Sequence, residues 1–140
     1  MSTEQNKAIV RRFRDAFNAG NFDEAATVLA DNLVVHMGSD PNPLNKEIFE
    51  QFGRVAFSAF PGFTTTIEDL VAEGDKVVSR ITFRGTHTGD FMGIPPTGKS
   101  ITISEIIIDQ LADGKIVESW RLFDQMAMMQ QLGLIPTPGQ

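Results

Sequence analysis

The chain has 140 residues, 41% hydrophobic and 21% charged, with no cysteine, no tyrosine and two histidines, which suits one domain over 1–140 with a single sizeable core. Zero cysteine excludes disulfides, thiol nucleophiles and cysteine-held zinc or iron–sulfur centres, and two histidines cannot build a three-histidine metal site. Eighteen acidic against twelve basic residues give a net charge of −6 without a basic stripe, so no nucleic-acid partner is expected.

The opening MSTEQNKAIV has no apolar targeting region, and no apolar run approaches spanning length, so the expectation is a cytoplasmic chain with no membrane partner. Ser2 followed by Gln5 is a capping-box signal; Val10, Phe13 and Phe17 follow at helical spacing until Gly20 stops the helix. Asn21 with Glu24 repeats the cap, and Phe22, Ala25, Ala26 and Leu29 fall at the spacing of a second helix. A short apolar stretch, Leu33 to Met37, is broken by Gly38 to Pro43. Asn42-Pro43 predicts the opening of a third helix with Leu44, Ile48, Phe52, Val55 and Ala59 as its apolar face, ended by Pro61-Gly62.

The pattern then changes to strands over 64–71, 76–86, 100–111 and 116–123, rich in β-branched residues, with Gly74-Asp75 and Asp113-Gly114 as hairpin signals. A last helix over 125–132 stops at Gly133. Helices first and antiparallel strands after predict an α+β fold with helices on one face of a bent sheet. Ile106, Ile107 and Ile108 are consecutive, so both faces of that strand are apolar. The helices can cover only one, which predicts a homodimer through the other.

Gly93-Ile94-Pro95-Pro96-Thr97-Gly98-Lys99-Ser100 fits the P-loop pattern letter for letter, and the physics rejects it. Such a loop holds phosphate with consecutive backbone N–H groups and then opens a helix. Pro95 and Pro96 remove two of those donors, and the residues after Lys99 alternate as a strand.

Several residues could carry chemistry. Asp124 lies where the last strand meets the last helix and by alternation shares a face with Trp120 and Leu122. If helices cover that face, Asp124 is a carboxylate in an apolar pocket, suited to proton transfer; it is equally a good N-cap for the last helix. His36, in Leu33-Val34-Val35-His36-Met37, is either a hydrogen-bonded core or turn residue or an acid/base, and His87 either orders a loop or lines the site. Arg80 and Glu105 interrupt apolar strand patterns, so they are solvated or dimer-face charges, or line a polar patch inside. Trp120 reads as core first and pocket wall second, and Met126, Met128 and Met129 as adaptable packing that would also suit a pliable pocket mouth.

Together, Arg80 to Lys99 (RITFRGTHTGDFMGIPPTGK), Asp113 to Trp120 (DGKIVESW), Asp124 and Gln130-Gln131-Leu132-Gly133 resemble the SnoaL-like polyketide cyclases, or ester cyclases. The resemblance covers nearly the whole chain. It implies a single SnoaL-like domain with the nuclear-transport-factor-2-like cone, a curved, mostly antiparallel sheet wrapped around three N-terminal helices with a deep pocket, usually dimeric through the sheet. It also implies an intramolecular aldol ring closure of a polyketide-like ester, without metal or cofactor, with one aspartate as acid/base. The matching position is Asp124, and a histidine is its implied partner, either His36 or His87, with His36 taken as the candidate. The implied ligand is an apolar or aromatic small molecule packed on Trp120, Phe13 and Phe17, with Arg80, Glu105 and His87 as further contacts. The family more often has an acidic residue where this chain has Gly62, so that loop departs from the pattern.

Neighbouring chemistries on such a fold can be weighed. Ketosteroid isomerisation wants a tyrosine-type donor, and the chain has no tyrosine. Epoxide hydrolysis needs a second pocket carboxylate and a cation to position water, for which Arg80 and Glu105 are the available residues. The alternative from another class is a non-catalytic small-molecule-binding or interaction module on the same fold. The orientation of Asp124 discriminates: a carboxylate that only caps the last helix leaves the cyclase without that base.

Overall fold

Helix α1 (Thr3–Asn18) begins where the capping box places it: the Gln5 amide donates to Ser2 Oγ at 3.1 Å and the Ser2 amide to Gln5 Oε1 at 2.8 Å. Its buried face is Asn6, Val10, Phe13, Arg14 and Ala16, an apolar stripe that carries one cation. The computed structural model describes residues 1–138. Helix α2 (Phe22–Ala26) is shorter than its spacing predicts, because Leu29 is the first residue of strand β1 (Leu29–Met37) and pairs with Ile116. Strand pairing and burial override helical periodicity there.

Helix α3 (Lys46–Ala59) also differs from expectation. Its cap is Asn45, whose side chain accepts from the Ile48 amide at 2.9 Å, while Leu44 still bridges Val35 of β1. The inward face runs through Phe49, Phe52, Gly53 and Ala56, and the predicted face residues Ile48 and Val55 are 48% and 40% exposed. Rotating the helix this way stacks Phe49 against Phe13 of α1, with ring centroids 6.2 Å apart.

Strands β2 (Thr64–Glu73), β3 (Lys76–Thr86), β4 (Ser100–Ala112) and β5 (Lys115–Phe123) follow, then helix α4 (Gln125–Gln131). The sheet order is β1-β5-β4-β3-β2, antiparallel except for the β1–β5 pair. Asp113 and Gly114 both have positive φ, 53° and 79°, which makes the β4–β5 turn the tight hairpin their sequence signals. Register shifts at Ile67/Asp69, at Gln110/Leu111 and at Leu29/Val34 bend the sheet around the helices.

The faces of the sheet follow from alternation along β4. Ile101, Ile103, Ile107, Asp109 and Leu111 are buried beneath the helices, whereas Ile106 and Ile108 on the outer face are 49% and 37% exposed. Two apolar clusters form the core. One joins α1, β1 and α3 through Val10, Phe13, Leu33, Val35 and Phe49; the other joins the end of α3 to β4 and α4 through Phe60, Phe63, Ile101 and Met128. The cavity described below is walled by residues of both. Among the described residues no helix is long and apolar enough to cross a membrane.

Candidate active site

Between the two core clusters lies a cavity of about 1020 Å³, a volume that includes its open mouth. Its walls are mainly phenylalanine: Phe13 and Phe17 from α1, Phe49 and Phe52 from α3, Phe83 from β3 and Phe123 from β5. Phe13 and Phe17 lie nearly parallel with centroids 6.1 Å apart, so the wall offers flat aromatic surface to a flat ligand. Asn18 secures the α1 side of the site: its Oδ1 accepts from the Thr65 amide at 2.9 Å and from Thr65 Oγ1 at 2.6 Å.

Four charged side chains interrupt this apolar lining: Arg14, Glu50, Glu105 and Arg121. Arg14 falls four residues after Val10 and shares its inward face. Arg121 alternates with Ser119 and Phe123 on the inner side of β5, and Glu105 does the same between Ile103 and Ile107 of β4. Arg14 is 6% exposed and Arg121 8%. Among the described residues, no carboxylate lies within ion-pair distance of either guanidinium. Arg121 Nε donates to Ser119 Oγ at 3.1 Å, and its two terminal nitrogens have no acceptor among the described residues. Its Cζ stands 4.6 Å from the Phe49 ring centroid and 5.8 Å from that of Phe13, and Arg14 Cζ is 5.6 Å from Phe13.

The electrostatics are those of charges held out of water. Burial, reinforced by repulsion from Arg121 and opposed by Glu105 and Asp109, brings the Arg14 guanidinium down to about 10. Behind the lining, Asp109 pairs across the sheet with Ser119. Burial pushes its carboxyl above the ordinary carboxylate range, against the pull of Arg121, the Ser119 hydroxyl and Arg14. Asp109 Oδ1 and Glu50 Oε1 are buried without a hydrogen-bond partner. Among the described residues no group of three or more histidine, aspartate or glutamate side chains is arranged to hold a metal.

Of the side chains singled out in the sequence as candidates, Glu105, Phe13, Phe17 and Met128 line this cavity. Asp124 does not. The face it shares with Trp120 and Leu122 is the outer one, with Leu122 64% exposed, so the condition for a pocketed Asp124 is not met. Asp124 is exposed, and its Oδ1 accepts from the Ala127 amide at 3.0 Å as the cap of α4. His36 and Trp120 also stand outside the cavity lining, paired across β1 and β5 and stacked at 5.5 Å, with His36 Nε2 2.7 Å from Glu118 Oε2. Arg80 is an exposed outer-face residue bound to Asp69 at 2.6 Å.

His87 is fully buried but is not a wall of the cavity; it stacks on Phe60 at 5.2 Å, and its Nδ1 takes the Thr97 amide at 3.2 Å. Arg14, Arg121 and Asp109 were not singled out in the sequence. The signal was their position, a charge at a core place of a helical stripe or of a strand alternation.

The family model for SnoaL-like polyketide cyclases matches residues 7–132. Among curated proteins, the aklanonic acid methyl ester cyclase DnrD of Streptomyces peucetius is 28% identical over 148 residues, covering 99% of this chain and 97% of its own length. The crystal structure of IdmH from Streptomyces antibioticus, a candidate polyketide cyclase, is 31% identical with a TM-score of 0.82, over 92% of this chain and 99% of that one. That of AclR from Streptomyces galilaeus, a candidate hydroxylase, is 25% identical with a TM-score of 0.90, over 99% of this chain and 87% of that one.

Proposed function

The chain belongs to the SnoaL-like polyketide cyclase family, and we propose that it closes a ring in a polyketide-like substrate by intramolecular aldol addition, with Glu105 as the acid/base. The observation that carries this reading is the presence of the Glu105 carboxylate on the wall of a phenylalanine-lined cavity, from which Asp124 is absent. A general base must reach the proton it takes, and geometry comes before acidity in choosing it.

The chemistry needs only groups of this kind. The carboxylate takes a proton from the carbon between two carbonyls, and the enolate carbon bonds to a ketone carbon elsewhere on the same molecule. The proton then returns from the carboxyl to the new alkoxide oxygen, so no atom or electron is gained or lost. A β-dicarbonyl carbon is already acidic, so proximity supplies much of the remaining acceleration: the aromatic walls fold the chain so that its two reacting carbons meet. Negative charge forms on oxygen twice along this path, and the guanidiniums of Arg14 and Arg121 are the positive groups on the same wall.

The substrate class follows the relatives, which are named for aklanonic acid methyl ester. The test therefore uses that ester and its free acid. Glu105→Gln is expected to lower kcat by about 100-fold or more, while Asp124→Asn, a change at an exposed cap, leaves it within about twofold. Full turnover by Glu105→Gln, or loss confined to Asp124→Asn, overturns the assignment. Tight binding of both compounds without product by the unmodified protein favours a binding module instead. We further propose that the outer face of the sheet, which carries the exposed Ile106, Ile108 and Leu122, is covered by a second copy of the chain.

A further inference from the structure

Arg14 and Arg121 are unusual cavity residues. A guanidinium taken out of water normally keeps a carboxylate or several carbonyl acceptors. Among the described residues neither has a carboxylate within ion-pair distance, and the Arg14 guanidinium has no hydrogen-bond partner. Both stand within 6.0 Å of aromatic ring centroids on the wall and share Phe13, so they occupy one part of the cavity. The groups that act on Arg14 are Arg121, Glu105 and Asp109. Of the carboxyls in that set, only Glu105 is on the lining; Asp109 is 2% exposed, and burial favours its neutral form. Glu50, the remaining carboxylate of the lining, lies on α3 and forms no ion pair with either arginine. The lining thus carries two guanidiniums and two carboxylates, and among the described residues neither guanidinium is ion-paired to either carboxylate.

We propose that Arg14 and Arg121 form a seat for a delocalised oxyanion, so that the cavity takes its ligand as an anion, a carboxylate or an ionised 1,3-dicarbonyl, in preference to a neutral ester. A planar, bidentate anion matches the fork of a guanidinium, and in a desolvated site such hydrogen bonds are the strong kind. The flat Phe13 and Phe17 pair then receives the aromatic body attached to that anion. The proposal deepens the ring-closure reading, since an ionised 1,3-dicarbonyl is the species that reading requires, but the binding preference can be measured without any turnover.

The experiment compares three unreactive probes by calorimetry near neutral pH: anthraquinone-2-carboxylate, its methyl ester, and a naphthyl 1,3-dione. The carboxylate is expected to bind about tenfold or more tightly than the ester. The dione is expected to ionise at a lower pH when bound than when free, read from its absorbance. Arg14→Met and Arg121→Met should each bring acid and ester close to parity, with the larger loss of affinity falling on the acid. Arg121→Lys, which keeps the charge without the fork, should retain part of the preference and serves if a methionine variant does not fold.

Equal binding of acid and ester by the unmodified protein overturns the seat, as does a preference that survives both methionine variants. Preference for the carboxylate without a shift in the dione identifies a carboxylate seat; a shift in the dione as well identifies the enolate as a ligand. If no cyclisable substrate is ever turned over while the preference stands, the seat holds and the ring-closure reading falls.

Discussion

Burying Arg14 works against folding. Its guanidinium gives up hydration, lies near a second cation and receives no ion pair, which is why its proton is held less tightly than in water. Methionine has similar length and no charge, so Arg14→Met should stabilise the protein by about 1–3 kcal/mol and weaken anion binding at once. Calorimetric melting with and without the carboxylate probe checks both halves; a lower melting temperature with unchanged binding contradicts them. Asp109 gives a pH dependence whose sign can be worked out. Its folded carboxyl holds a proton above the ordinary range while the unfolded carboxyl titrates near 3.8. Its contribution to stability is therefore complete below that value and is lost as pH rises through the folded one. Asp109→Asn should melt higher than the parent at neutral pH, with the difference shrinking toward about pH 4; parallel melting profiles contradict this. Much of this residue-scale picture was legible in spacing, since Arg14 follows Val10 by one helical turn and Arg121 alternates with Phe123. What spacing does not decide is which side of β5 faces in, because Trp120 and Leu122 are as apolar as its other face. The pair that looks more like core is the pair turned outward.

At the scale of elements, the segment between β3 and β4 is what the P-loop-like letters encode. Thr88 and Gly89 amides both donate to the Ala59 carbonyl, at 3.0 and 3.1 Å, closing the end of α3. Phe91 and Ile94 bridge each other in a small turn, and buried His87 organises Thr97 behind it. The proline pair therefore sits in a loop that folds on itself, with no helix after it to present backbone donors. Gly89 is required by close approach: a Cβ there would stand 2.5 Å from the Ser58 carbonyl oxygen. Gly89→Ala should cost about 1–3 kcal/mol through the backbone shift it forces, measured as a lower melting temperature; an unchanged melt contradicts the packing of this loop on α3. Strands β2 to β5, both hairpins and the capping box were legible because each is a local signal, whereas β1 read only as a short apolar stretch. The α2–β1 boundary was not, because Leu29 satisfies helical spacing and is claimed by its non-local partner Ile116. Nor was the inward face of α3, which the aromatic stack of Phe49 on Phe13 selects.

Across the whole molecule, the sheet separates two apolar surfaces with different roles. The inner one makes the core and the cavity; the outer one leaves Leu122 64%, Ile106 49% and Ile108 37% exposed on neighbouring strands. If a second copy covers it, Leu122→Lys combined with Ile108→Lys should yield a folded monomer by light scattering, since neither change enters the core. A monomeric parent, or a double variant that stays dimeric, contradicts that assembly. The cavity claim is tested most directly by following deuterium exchange at the acidic carbon of a β-keto ester that lacks the acceptor ketone, so that only proton abstraction is observed. The unmodified protein and Asp124→Asn should exchange that proton at comparable rates, and Glu105→Gln should slow exchange by about 100-fold or more. Exchange at the full rate by Glu105→Gln, or its loss in Asp124→Asn alone, would contradict Glu105 as the acid/base of the cavity.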